Sequence, residues 1–540
     1  MTLDRAPWPA LVVLLLSVVA VSLRIQAASR PGLWADEIFS LAMATGHSLE
    51  HPADQADPSL GDFVQPHEAE SPEVFRHYAE AGEPPAGATR VIRAVLVSDT
   101  SPPLYYLILN WWIRAFGSGD AALRLFSVWW ATLSLPLLCL LGHKLGGRTV
   151  AAASCLLFSF SPVAFYYSVE GRMYSMLWCL ALALGWLTMQ LAENGGRRYA
   201  AFWVLVGAMG LLTHYFFAFV WTACLAWLWI VARPSRRHVA MMMALTIAVV
   251  LPWYLEVPAS LARWRVTGGW LEGDLHLRHA LGRPLALAGG LLSGGSYLGG
   301  WRRADRLVGA VFLLLGAWMA YRRSCSRLFS KDSLLLWLWI AGACTGPLVF
   351  DVLHHTTTSD VPRYALAGLP AAMLLAALAV SQLPPKIGIV FLGVVLLAWL
   401  PGVRAVVGAQ APRPWEPYPE VAAKIDSWSR PGDVVLVRSI PSGVIGVTRY
   451  LRSDVPVASW VTQLGTQRVP ADLERLLRGR RRVAVATIHD LGASDQVEKW
   501  LRTHARLTER QTFRSSNAEV LYFQPATADS ALPVSQQQWE

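Results

Sequence analysis

Residues 371–400 read AAMLLAALAVSQLPPKIGIVFLGVVLLAWL, and Lys386 is the one charged side chain among them. It stands beside Pro384-Pro385, between two apolar runs. A bilayer core ~30 Å thick needs about 20 apolar residues of helix to cross it. Carried to their flanks, 364–382 and 386–404, both runs have that length, with a proline pair and a cation where a turn at a membrane surface would be. The same signature recurs at 7–26, 121–142, 149–165, 172–192, 198–213, 215–232, 238–256, 304–321 and 333–352. The first could instead be a cleaved signal peptide, because Ala27-Ala28 follows it; Arg5 offset by Asp4 and the later spans favour a retained helix.

Composition agrees. The 540 residues are 54% apolar or aromatic and 16% charged, against about a quarter charged in soluble domains. A single soluble globule, a disordered chain and a disulfide scaffold are excluded. The reading is a polytopic α-helical membrane protein of about eleven transmembrane helices. Cys139, Cys155, Cys179, Cys224, Cys325 and Cys344 lie in or beside apolar segments without zinc spacing and read as small core residues.

Orientation follows from the cations. Lys144, Arg148, Arg197, Arg198, Arg233, Arg236, Arg237, Arg322, Arg323, Arg327, Lys331 and Lys386 all fall in short loops on one side if the N-terminus is cytoplasmic. The net charge of +10 is then largely topological, and no basic run with interleaved aromatics calls for a nucleic acid. Outside lie 27–120, 163–171, the turn at His214, 257–303, 353–363 and everything after 405. Residues 102–117 and 281–298 read as helices in the outer interface, since either one crossing alone would invert the later loops.

Residues 1–405 therefore form the membrane part, with 27–120 as first outer loop. Its acidic stretch 49–83, with Glu50, Asp54, Asp57, Asp62, Glu68, Glu70, Glu73, Glu80 and Glu83 against Arg76, reads as a solvated, partly mobile loop or a lid. A Pro-rich linker (406–419) leads to 420–525, where helix 420–430, strand 434–438, helix 471–479, strand 482–488, a helix near 494–504 and strands 507–513 and 518–524 imply a small α/β extracytoplasmic domain. Residues 526–540 read as a disordered tail.

Chemistry-bearing residues recur at the outer ends of spans. Asp36 and Glu37, in PGLWADEIFSLA, stand ten residues past the first span, where an acid is also a plain helix cap. Glu170 and Arg172 interrupt an apolar, aromatic stretch that ends at Tyr174, and a charge near the membrane must be paired or line a wet cavity. Arg124 opens the second span; His214-Tyr215 and Arg363-Tyr364 sit at outer turns. His354, His355 and Asp360 make no convincing metal site, so no metal is assigned and a divalent ion is left without a ligand motif. Carboxylates, arginines and a histidine at one depth suit an enzyme acting on a lipid phosphate.

WADE (34–37), SPPLYY (101–106), ALRLFS (122–127), SPVAFYYSVEGRMY (161–174), HY (214–215) and PRYALAGLP (362–370), in that order, resemble the GT-C superfamily of membrane glycosyltransferases. The likeness is to the branch of the protein O-mannosyltransferases and the aminoarabinose and lipopolysaccharide-core transferases, over roughly 8–405. It implies inverting transfer of a sugar from a polyprenyl-phosphate donor to a lipid, glycan or protein hydroxyl at the outer face of the cytoplasmic membrane. It implies Asp36 as general base and Glu37 orienting the acceptor or neighbouring groups. Arg124 and Arg363 would meet the donor phosphate, and Glu170, Arg172, Tyr174, His214, Tyr215 and Tyr364 would complete the cavity. The acidic insertion is longer than a minimal first loop needs, and no extra luminal domain of the protein O-mannosyltransferase kind is present. A transporter or flippase of a lipid-linked sugar is the alternative.

Overall fold

The computed structural model describes residues 8–99, 101–231, 236–273, 282–293, 311, 315, 327–408, 416–489, 496–513 and 518–525. The expected eighth span apart from residues 311 and 315, Cys325 and the tail 526–540 lie outside them, as do residues 409–415 of the linker. Among the described residues, seven helices are long and apolar enough to cross a membrane. In chain order the membrane helices begin with α1 (Trp8–Ala28), which packs along the helix Asp120–Phe160.

The first outer loop then supplies α2 (Ala35–Ala44), α3 (Pro72–Arg76), α4 (Ala88–Ser98) and α5 (Leu104–Phe116). At ~1.5 Å per residue α5 rises about 20 Å, short of a bilayer core. Helix α6 (Asp120–Phe160) holds two expected spans: Gly146 and Gly147 leave helical geometry, Gly147 at φ 75°, and the chain folds back on itself. A Cβ at Gly142 would lie 3.0 Å from the Ala151 Cα, so the two arms meet almost backbone to backbone. After α7 (Pro162–Ser168) come α8 (Tyr174–Asn194), α9 (Arg197–Leu211) and α10 (Phe217–Val231). The last two have 15 residues each, a rise of about 22 Å, because the His214 turn takes residues from both ends of that hairpin. Then follow α11 (Arg236–Leu261), α12 (Arg283–Ser293), α13 (Lys331–His354), α14 (Leu369–Ser381) and α15 (Pro385–Val407). Cys155, Cys179, Cys224 and Cys344 are buried as expected, whereas Cys139 is exposed on the apolar outer face of α6.

The acidic loop differs from the sequence reading. It is folded, and two of its acids are buried and bonded: Asp62 forks to Arg93 at 2.6 and 2.9 Å, and Glu50 accepts from the Thr267 N–H and hydroxyl. Leu49, Phe63, Phe75 and Tyr78 supply an apolar core that follows no helical or strand period.

The C-terminal part comprises α16 (Tyr418–Trp428), β1 (Asp433–Arg438), α17 (Pro441–Tyr450), β2 (Val457–Trp460), α18 (Ala471–Leu477), β3 (Arg482–Thr487), α19 (Gln496–His504), β4 (Ala505–Thr512) and β5 (Glu519–Pro525). The sheet order is β2-β1-β3-β5-β4, with parallel pairs β1–β2 and β1–β3 and antiparallel pairs beyond. Alternation in VVLV (434–437) feeds two cores. Val434 and Leu436 pack with Leu473 and Leu501 of α18 and α19. Val435 and Val437 pack with Val444 and Ile425 in the core that continues into the first outer loop. Glu70 and Val457 exchange backbone hydrogen bonds, so the first outer loop covers the edge of β2.

Candidate active site

Asp36 and Glu37 are the second and third residues of α2, about 100° apart around the helix. That rotation separates their surroundings. Glu37 is buried, and both its oxygens are saturated. Its Oε1 accepts from Arg124 Nε (2.8 Å) and the Gly171 N–H (2.9 Å); its Oε2 accepts from Arg124 Nη2 (2.6 Å) and the Trp34 N–H (3.2 Å). Arg124, buried at the start of α6, gives its remaining bonds to the carbonyls of Arg30 (2.8 Å) and Gly32 (2.5 Å). Four of its five N–H groups are thereby committed to the fold, which leaves one Nη1 N–H for the contact with a phosphate expected from the sequence.

Asp36 is part exposed, at 25% of its side chain, and accepts from Arg363 Nη1 at 3.1 Å. Arg363 lies on the 3₁₀ turn Pro362–Gly368. That turn is pinned by indole N–H bonds from Trp178 to the Leu366 carbonyl and from Trp339 to the Ala367 carbonyl. The guanidinium is surrounded by the rings of Trp270 (5.3 Å), Trp34 (5.7 Å) and Tyr364 (5.7 Å).

Glu170 and Arg172 sit in the turn between α7 and α8, with Gly171 pressed against Leu123: a Cβ there would come within 2.5 Å of that side chain. Arg172 donates at long range to the Asp36 carbonyl (3.4 Å), Ser40 Oγ (3.3 Å), Tyr106 OH (3.4 Å) and Asp99 Oδ2 (3.5 Å), while its buried Nε has no partner. Charge-assisted bonds are ordinarily 2.7–2.9 Å, so Arg172 keeps unused donor capacity. Glu170 is buried with Oε2 unpartnered. Burial, and next the charge of Glu37, push its carboxyl up to about 8.

Asp99 and Tyr106 were not singled out from the sequence. The Tyr106 hydroxyl donates to Asp99 Oδ2 at 2.9 Å, and both face Arg172. The visible signal is an acid two residues before SPPLYY, where an amphipathic helix ends.

The Tyr174 ring packs on Tyr167 and His214. His214 accepts from the Phe216 N–H through Nδ1 (3.1 Å). Burial and the nearby Arg172 lower it to about 4, so the imidazole is neutral at pH 7. Tyr364 stacks edge-on with Phe216 beside Arg363. Tyr215 goes elsewhere: its hydroxyl accepts from Trp253 Nε1 at 3.3 Å and its ring meets Tyr254, so it serves the packing of α11. Asp360 is paired with Arg283, and His354 packs on Phe350. Among the described residues no three His, Cys, Asp or Glu side chains stand together as a metal-ligand set.

Asp36, Glu37, Asp99 and Glu170 thus meet Arg124, Arg172 and Arg363 in one cluster. With Glu170 protonated, the remaining carboxylates and the arginines balance.

Residues 100–255 match the family model described as dolichyl-phosphate-mannose-protein mannosyltransferase. No curated protein sequence matches the chain. Among solved structures, apo ArnT from Cupriavidus metallidurans superposes with a TM-score of 0.56 at 12% identity, covering 97% of this chain and 99% of that one. The same protein bound to undecaprenyl phosphate gives 0.52 at 12% identity over 94% and 97%. The apo Archaeoglobus fulgidus oligosaccharyltransferase gives 0.48 at 14% identity over 90% of this chain and 70% of that one. The family match is confined to residues 100–255, while the superposition on apo ArnT runs over nearly the whole chain, so the chain shares the fold of that protein and carries a segment similar to the mannosyltransferase family.

Proposed function

We propose that the protein transfers a sugar, with inversion, from a polyprenyl-phosphate donor to an acceptor hydroxyl, and that Asp36 is the general base. The observation that carries this is the unequal fate of two adjacent carboxylates. Glu37 is spent on protein groups, while Asp36 stays part exposed with a single bond to Arg363. As the acceptor oxygen attacks the anomeric carbon, its proton passes to an Asp36 oxygen and the bond from that carbon to the phosphate oxygen breaks. The leaving phosphate gains one negative charge as Asp36 loses one. Arg363 then turns from a neutralised partner to a newly charged one without change in the net charge of the site.

Arg172, with its long contacts and bare Nε, is the second phosphate arm in this proposal; Arg124 clamps the base-bearing turn. Glu37 orients protein groups rather than the acceptor. Tyr174, His214 and Tyr364 line the aromatic side of the cluster, which suits the apolar start of a prenyl chain and a sugar face. The acceptor is a lipid, glycan or protein hydroxyl on the outer side. In the topology the cation distribution favours, the N-terminus is cytoplasmic and the C-terminal domain extracytoplasmic. The matched family is one of transferases, which favours this reading over a transporter of a lipid-linked sugar.

The test uses membranes that contain the protein and are supplied with radiolabelled polyprenyl-phosphate sugar. Asp36→Asn is expected to lose transfer by about 10²–10⁴-fold, the scale of general-base removal. Transfer near the wild-type rate from folded Asp36→Asn protein overturns the assignment.

A further inference from the structure

The turn that carries Asp36 into the cluster has little backbone pairing of its own. Residues 30–34 are irregular, with Gly32 at φ 106°. Their amides nonetheless need partners in a buried setting. Four successive N–H groups find them in four side chains. Gly32 N–H donates to Asp120 Oδ2 (2.9 Å), Leu33 N–H to Tyr450 OH (2.8 Å), Trp34 N–H to Glu37 Oε2 (3.2 Å) and Ala35 N–H to Glu416 Oε2 (3.2 Å). Tyr450 closes α17 and Glu416 stands two residues before α16, so two of the four anchors come from the C-terminal domain and its approach segment.

Those anchors are themselves held. The Tyr450 hydroxyl donates to Asp120 Oδ2 (2.5 Å), and the neighbouring Arg449 donates to Asp120 Oδ1 (2.9 Å) and the Ser118 carbonyl (2.7 Å). Glu416 is nearly enclosed, and its Oε1 stands 3.0 Å from Nδ1 of His489, just beyond the end of β3. Pro417 restricts the Glu416 backbone to extended geometry, and the following Tyr418 is buried against Gly446 of α17. The carboxylate also meets the first amide of α2, where a negative charge is favoured.

We propose that the C-terminal domain holds the base-bearing turn in place, with Glu416 and Tyr450 as positioning residues for Asp36. The inference rests on Asp36 being the general base, and it gives the small domain a part in the reaction rather than a separate binding task. A displacement of a catalytic group by ~1 Å can cost about 100-fold in rate, so loosening one of four anchors should slow turnover without disturbing the donor's phosphate contacts at Arg172 and Arg363.

The experiment compares full-length purified wild type, Glu416→Ala, Glu416→Gln, Tyr450→Phe and Asp36→Asn, using polyprenyl-phosphate mannose as probe donor. It reads kcat and KM for the donor, together with amide hydrogen exchange of the peptide covering 31–38. Glu416→Ala is expected to lower kcat about tenfold, leave the donor KM within about twofold and speed exchange in 31–38 while peptides of β1 and α8 stay as in wild type. Glu416→Gln, whose amide oxygen still accepts from the Ala35 N–H, is expected to recover most of the loss. Tyr450→Phe should fall between them, and it carries the test if Glu416→Ala does not fold. Unaltered kcat and exchange in Glu416→Ala and Tyr450→Phe, or a Glu416→Gln as impaired as the alanine variant, overturns the positioning role. An active Asp36→Asn overturns the base assignment instead, and the exchange readout still tests the anchoring on its own.

Discussion

Two ion pairs share the start of α2 and differ in almost every physical respect. Glu37–Arg124 is closed: bonds of 2.6 and 2.8 Å, both partners buried, each carboxylate oxygen accepting twice, the guanidinium completed by two carbonyls. Asp36–Arg363 is open: one bond of 3.1 Å, both side chains part exposed, and an aromatic surround in place of further acceptors. A buried pair that satisfies every lone pair specifies a geometry and resists rearrangement. An under-satisfied, part-exposed pair can exchange its partner for a ligand at small cost. Two carboxylates one residue apart thus divide into a structural and a reactive one, and the division is made by their partners, since the residue types are nearly alike.

The largest expected effect breaks the comparison along its main line. Asp36→Asn should abolish most transfer while the protein melts near wild type, because Arg363 retains its aromatic contacts and solvent access. Glu37→Gln should do the reverse. It leaves the Arg124 charge buried without its counter-charge, a defect of about 3–5 kcal/mol when one partner of a buried pair is removed. Thermal unfolding in detergent and transfer activity, measured on the same preparations, check both. Equal losses of stability in the two variants would erase the distinction between the pairs.

A smaller effect sharpens the arginine half. Arg363→Lys keeps a cation near Asp36 but loses the planar fork, and is expected to weaken donor binding about 10-fold or more, seen as a raised KM, with the fold intact. Arg124→Lys, which must replace four hydrogen bonds to Glu37, Arg30 and Gly32, should instead reduce the folded yield. A raised donor KM in stably folded Arg124→Lys would return that residue to the phosphate.

Much of the fold was legible because span length and loop charge are one-dimensional signals: 371–400 announces two helices and a turn without any tertiary knowledge. The same holds for strands 434–438 and 482–488, whose apolar runs match β1 and β3. β2 escaped because VASW (457–460) is four residues long and follows Pro456. The acidic loop is folded rather than simply solvated, which its sequence hides: its apolar anchors obey no period, Asp62 is paired with Arg93, and Glu50 accepts hydrogen bonds from Thr267, distant in the chain. At the site, the structure brings Asp36, Glu37, Glu170, Arg172 and Arg363, which the motifs spread over more than 300 residues, into one cluster. What the motif order could not tell was which arginine has most of its donors committed, since that depends on the carbonyls of Arg30 and Gly32 turning toward Arg124. Glu416, in a Pro-rich stretch that reads as linker, carried no local sign of its contact with Ala35.

The smallest expected effect concerns Glu170, which belongs to neither pair. Its carboxyl is raised to about 8 chiefly by burial, then by the charge of Glu37 and Asp36, with Arg363 and Arg172 opposing. A carboxyl whose folded value lies above its ordinary one is protonated across the neutral range and ionises as pH climbs through 8. Ionisation would add a negative charge between the open pair and an incoming phosphate and draw Arg172 and Arg363 away from the donor. Donor KM in the wild type should therefore rise several-fold between about pH 7 and pH 9, and Glu170→Gln, which cannot ionise, should flatten that limb while keeping most activity at pH 7. His214 does not contribute there, since burial holds it neutral well below this window. An alkaline limb that persists unchanged in Glu170→Gln would assign the titration to another group. It would also mean that the open pair, and not its neutral neighbour, sets how much negative charge the cluster can hold.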